Sequence, residues 1–173
     1  NGASPVAFSP NVITREHMRL PGPVKRIARA KRPIGIMFHC TDGVCPDTEK
    51  RASFAWHATY NWHVNGKHWR DIAYHLGINE LGMVLQGRAL DRVAGAAKGH
   101  NVTWKHIVVQ GKGDRAGGLL RETIAWVVAD LDKLYGPGLE IAGHRDVSSK
   151  PCPGDAVYAL LQDMFPERML VKP

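Results

Sequence analysis

The chain has 173 residues, of which 44% are hydrophobic, enough for one domain with a proper core and too few for two of ordinary size. No apolar run approaches the roughly 20 residues needed to cross a bilayer, so membrane insertion is not expected. A formal charge of +7 favours a polyanionic partner without choosing one; zinc-finger spacings, ribonucleoprotein-type aromatic motifs and a sustained basic amphipathic helix are all absent, so that partner is not expected to be nucleic acid.

Residues 1–32 contain Pro5, Pro10, Pro21 and Pro23, and a basic cluster of Lys25, Arg26, Arg29, Lys31 and Arg32; they read as an arm wrapped on a domain formed by 33–173. Within the arm, VKRIARAKR reads as a solvated linker in preference to a short basic helix. Ile34 to Phe38 is an unbroken apolar run ending in His39, which predicts a strand buried on both faces whose carboxyl end delivers a functional side chain. Turn residues follow from Thr41 to Pro46, and Asp47 or Thr48 then caps a helix to about Val64, in which His63 is expected to be a satisfied interior histidine. Asn65-Gly66 marks a turn before two strands, about 72–78 and 82–87, joined as a hairpin through Asn79-Glu80-Leu81. Side chains alternate along a strand, so Tyr74 and His75 are expected to face opposite sides.

Residues 89–103, with Gly95 and Gly99, predict a loop of the kind that borders a binding groove, and Asn101-Val102-Thr103 within it is a glycosylation sequon. A strand is predicted at 105–110. Ile124, Val127, Val128 and Leu131 at helical spacing predict a helix over 119–135 that stops before Gly136-Pro137-Gly138. A short strand at 139–142 and a helix at 155–165 complete the chain. Strands alternating with helices give an α/β class: a single domain with a central mixed β-sheet flanked by helices on both faces, in a strand order that periodicity does not reveal.

The stretch IAGHRDVSSKPCPG, residues 141–154, places His144 and Cys152 eight residues apart on one loop, with Lys150 two before the cysteine. Neutral imidazole and thiolate are good zinc ligands, and a loop leaving a strand can fold both onto one ion. His39, at the end of a buried strand, is the best third ligand. Three protein ligands with an open fourth position is the pattern of a catalytic zinc, one per chain. A closed structural site needs a fourth ligand; His68, His75 and His106 are available, but none lies in a suitable motif. With Cys152 so used, Cys40 and Cys45 remain either as a pair closing a tight loop or as two reduced thiols.

Taken together and in order, FHCT, WRDIAYHLGI and GHRDVSSKPCPG resemble the zinc-dependent N-acetylmuramoyl-L-alanine amidases of the peptidoglycan recognition protein and phage lysozyme type, the amidase type 2 family, over about residues 33–165. The resemblance implies a sheet of five or six strands. It implies zinc held by His39, His144 and Cys152, with Tyr74 orienting the water or donating to the intermediate and Lys150 stabilising the oxyanion. The activity implied is hydrolysis of the amide between N-acetylmuramic acid and L-alanine of peptidoglycan, by a monomer acting on the cell wall, with the basic surface against an anionic wall. The lysine and tyrosine match the phage type and point to an endolysin catalytic domain. The alternatives are a bacterial remodelling or recycling amidase, and a non-catalytic peptidoglycan-binding module, although binding-only relatives typically lose the cysteine that Cys152 supplies here. One departure stands out: some relatives carry a glutamate on the strand where this chain has Val108 and Val109. The groove walls are expected from the 89–103 loop and the Thr41 to Asp47 turn.

Overall fold

Six strands form one mixed sheet in a computed structural model of the chain, which describes residues 7–170. They are β1 (Asn11–Ile13), β2 (Gly35–Cys40), β3 (Leu76–Ile78), β4 (Met83–Gln86), β5 (Trp104–Val109) and β6 (Glu140–Gly143). Their order across the sheet is β1-β4-β3-β5-β2-β6, and β3 with β4 is the one antiparallel pair. The apolar run of the sequence thus becomes β2, a strand with parallel neighbours on both edges and buried on both faces.

Alternation along the strands sorts the core into two layers. On one face Ile36 and Phe38 of β2 join Ile107 and Val109 of β5 beneath α3 (Leu120–Tyr135) and α4 (Asp155–Met164), which contribute Ile124, Val127, Leu131, Val157 and Leu161. On the other, Val108 packs with Met83 and Leu85 under Ala52, Trp56 and Tyr60 of α2 (Glu49–Asn61). Helix α2 starts where Thr48 accepts a hydrogen bond from the Arg51 backbone N–H, and it runs out through a π-helical turn, Trp62–Gly66. Trp56 can lie against β3 because Gly77 leaves room: a Cβ there would come within 2.7 Å of the indole. The arrangement puts helices on both faces of an α/β sheet, as the alternation predicts.

Three features differ from the sequence reading. The first strand of the hairpin has a regular ladder only from Leu76, because Tyr74 and His75 exchange bonds with Arg88, Gly87 and His106 out of regular register. The arm contributes β1, which extends the sheet by pairing parallel to β4, and a single helical turn, α1 (Arg15–Met18), capped by Thr14. The basic run after Val24 is not a solvated linker. Ile27 is buried, and the backbone N–H groups of Val24, Ala30 and Lys31 donate to the carbonyls of Arg70, Asp91 and Val102. Arg15 fastens the arm through paired bonds of 2.9 Å to the buried carboxylate of Asp71.

Candidate metal centre and cleft

Strands β2 and β6 lie side by side and parallel, so their carboxyl ends bring His39 and His144 together, with ring centroids 4.8 Å apart. Such carboxyl ends are where open α/β sheets habitually bind ligands. The 144–154 loop returns beneath them. The Arg145 backbone N–H donates to the Cys152 carbonyl at 2.7 Å, and Cys152 Sγ comes to 3.8 Å from His39 Nδ1. Asp146 clamps the loop by accepting from the Gly143 N–H at 2.9 Å and the Tyr158 hydroxyl at 2.7 Å. Arg145 lies over the Tyr158 ring and pairs with Asp155. Arg145 and Asp146 therefore both serve the loop.

A second loop locks against this one. Gly113 and Gly154 both take positive φ, and a Cβ on Gly113 would stand 1.7 Å from the Pro153 carbonyl oxygen. The Gly113 carbonyl accepts from the backbone N–H groups of Ala156 and Val157, which ties the approach of Cys152 to the end of the β5 crossover.

Among the described residues, His39, His144 and Cys152 form a group whose ligand atoms all lie within 4.8 Å of one another. Tetrahedral zinc with ordinary Zn–N and Zn–S lengths needs separations of about 3.3–3.6 Å, so the widest separation would have to close by no more than about 1.5 Å. The chemistry of the donors fits as well. Burial, then the neighbouring rings of His106 and His144, hold the His39 imidazole well below its ordinary pKa; burial, then Lys150, lower that of His144, so both present neutral rings. Hydrogen bonding with Cys40 and then burial push the metal-free Cys152 thiol up, so its proton leaves when a cation takes its place.

These residues open onto a cleft of about 610 Å3 whose lining includes Tyr74, Lys150, Trp69, Lys112 and Asp114. The Tyr74 ring stands 5.3 Å from that of His39, and burial, aided by Cys152, raises its phenol well above the ordinary range, leaving a neutral hydroxyl. His63 supports it from behind. Its Nδ1 accepts from the Ala73 N–H, and its ring stacks on Trp69, the interior role expected for it. Lys150 is exposed at the rim. Of the expected groove walls, the 89–103 loop contributes Gly95 and Ala96 and the turn contributes Asp42; Trp69 and the Lys112 to Asp114 segment were not anticipated, since no pattern marks them.

With the geometry in place the chain can be set beside known proteins. No protein-family model matches it. Peptidoglycan recognition protein 1 of Bos taurus is 28% identical over 145 residues, covering 78% of this chain and 74% of the relative, and peptidoglycan-recognition protein SD of Drosophila simulans is 25% identical over 159 residues, covering 87% and 84%. The crystal structure of tracheal cytotoxin bound to the ectodomain complex of peptidoglycan recognition proteins LCa and LCx superposes with a TM-score of 0.86 at 17% identity, over 92% of this chain and 98% of that one. The fold is that of the peptidoglycan recognition proteins.

Other histidines and cysteines on this peptidoglycan recognition fold have partners of their own. His106 Nδ1 faces His39 Nε2 at 2.9 Å, on the side of that ring away from Cys152, and so is not a fourth ligand. His75 is buried, with its ring nitrogens facing the Arg92 carbonyl and the His106 N–H. All three cysteines are free: Cys40 donates its N–H to Cys152 Sγ, and the Cys45 thiol lies 3.7 Å from Glu80. Asn101 of the sequon accepts from the N–H groups of Ala96 and Ala97, which commits its side chain to shaping the loop. A larger cavity, about 860 Å3, lies between the arm and the β3–β4 hairpin, away from the ligands. Its lining includes Arg15 and Arg88, which are engaged by Asp71 and by backbone carbonyls.

Proposed function

We propose that the chain is a zinc-dependent N-acetylmuramoyl-L-alanine amidase, opening the amide between the lactyl group of N-acetylmuramic acid and L-alanine of the stem peptide, and that it serves as a phage endolysin catalytic domain. The observation that carries this reading is the His39, His144 and Cys152 ligand set in a cleft shared with Tyr74 and Lys150. Peptidoglycan as the ligand is supported by the names of the relatives and by the tracheal cytotoxin bound to proteins LCa and LCx. The endolysin context rests on Tyr74 and on the spacing of Lys150 before Cys152, both in the phage manner.

An amide resists hydrolysis because attack needs a strong nucleophile and creates an oxyanion. A bound zinc supplies a water acidified to about neutral pH and a Lewis acid for the carbonyl oxygen. The protein adds the rest. Lys150 carries its ammonium at the rim beside His144, where it favours negative charge that develops on the substrate. Tyr74 keeps its proton, so its hydroxyl can orient the attacking water or donate to the oxyanion. Trp69 offers an apolar wall for a sugar or peptide. Strand β5 offers no carboxylate to take a proton, Val108 standing beside His39 in register.

Zinc analysis together with turnover on purified peptidoglycan tests the proposal. About one zinc per chain with release of soluble fragments is expected. Zinc and peptidoglycan binding without turnover would make the chain a recognition module, and the absence of both would sink the reading.

A further inference from the structure

To ligate a metal beside Cys152, the His39 ring must present a bare nitrogen on that side. That nitrogen is set by a chain of hydrogen bonds with one consistent direction. His106 Nε2 lies 3.1 Å from the His100 carbonyl oxygen, an atom that only accepts, so this nitrogen carries the proton. His106 is fully buried, and a ring protonated on both nitrogens would set a charge against a second imidazole, so the one proton on Nε2 leaves its Nδ1 bare. The bare Nδ1 faces His39 Nε2 at 2.9 Å. Two bare nitrogens at that distance would repel, so His39 donates from Nε2. A neutral His39 with a proton on Nε2 has its lone pair on Nδ1, the nitrogen that faces Cys152 Sγ.

We infer that His106 is a positioning residue, which fixes the tautomer and ring orientation of His39 and so prepares the metal centre from behind. The site it acts on is the one in the functional proposal and depends on that reading; the tautomer itself does not. Its own backbone is held in turn. His75 Nε2 lies 2.9 Å from the Arg92 carbonyl, which puts the proton there, and His75 Nδ1 accepts from the His106 N–H at 3.0 Å. Both chains end on carbonyls of the 89–103 loop, the same loop that lends Gly95 and Ala96 to the cleft. Partners of this kind, behind a metal-bound histidine, commonly govern 10- to 100-fold in metal affinity.

Three proteins test the inference: the wild type, His106→Leu, which removes the acceptor, and His106→Asn, whose amide oxygen can take the place of Nδ1. Zinc affinity is measured by chelator competition, apoprotein melting is followed in parallel, and the His39 tautomer is read from two-bond nitrogen–proton correlations in the metal-free wild type. Expected are an Nε2–H tautomer for His39, zinc binding weakened about 10- to 100-fold in His106→Leu with cooperative melting retained, and substantial recovery in His106→Asn. Wild-type affinity in His106→Leu, or an Nδ1–H tautomer in the metal-free wild type, would overturn it. Should His106→Leu not fold, the tautomer and the His106→Asn affinity decide. A wild type that binds no zinc but shows the Nε2–H tautomer would count against the amidase reading and leave the relay standing.

Discussion

Lys150 and Cys152 stand two residues apart and have different roles in the proposed function, so substitutions there separate charge stabilisation from metal binding. Lys150→Ala is expected to keep zinc and lose about 100- to 1000-fold in kcat, because its ammonium acts on charge present mainly in the transition state. A change confined to KM would instead make Lys150 a binding residue. Cys152→Ser is expected to lose stoichiometric zinc, which elemental analysis reads directly; full retention would show that the thiol is not a ligand. Since Cys152 must surrender a proton when it ligates and its metal-free thiol is pushed up, zinc affinity should rise with pH through neutrality and beyond, and a pH-independent affinity would count against thiolate ligation. Residue types and spacing made the candidate metal group of His39, His144 and Cys152 legible in the sequence. His106 could be seen only as a spare histidine, since a tautomer relay depends on rings that lie 67 positions apart in the chain.

At the scale of elements, the strands and helices with long apolar patterns were readable, and the arm was not. Strand β1 has three residues, sits after Pro10 and acquires its identity from pairing with β4, more than 70 positions downstream, which no local propensity encodes. What holds that arm is testable. Asp71→Ala removes the buried carboxylate from Arg15 and leaves the guanidinium half-compensated by carbonyls, at a cost of about 2–4 kcal/mol reduced from that of a fully buried pair because Arg15 remains partly exposed. The urea midpoint should fall accordingly, and cleavage by trypsin should begin in the arm; an unchanged midpoint would mean that Arg15 contributes no net stability. Gly113→Ala acts on the other side of the sheet's carboxyl end. Its Cβ would displace Pro153, so zinc affinity should fall even though no ligand is touched.

Across the whole molecule the buried histidines set the response to acid. Burial lowers the pKa of His75 to about 3 and that of His106 to about 4, from an ordinary 6.5. Each ring therefore binds fewer protons folded than unfolded, so its stabilising effect is complete above about pH 6.5 and is lost as pH falls toward the folded values. The two together predict a loss of about 2 kcal/mol per pH unit between pH 6 and pH 4, a sum comparable with the whole stability of a marginal domain. Denaturant titrations at pH 7 and pH 5 check this, and equal stabilities would contradict it. Among the described residues no helix is long and apolar enough to cross a membrane, and the charge of +7 suits an anionic wall. The central claim is the bond that is cut. Peptidoglycan digested with the zinc-loaded protein should acquire new L-alanine amino termini and no new reducing sugars; reducing ends, or amino groups on residues other than alanine, would contradict the account.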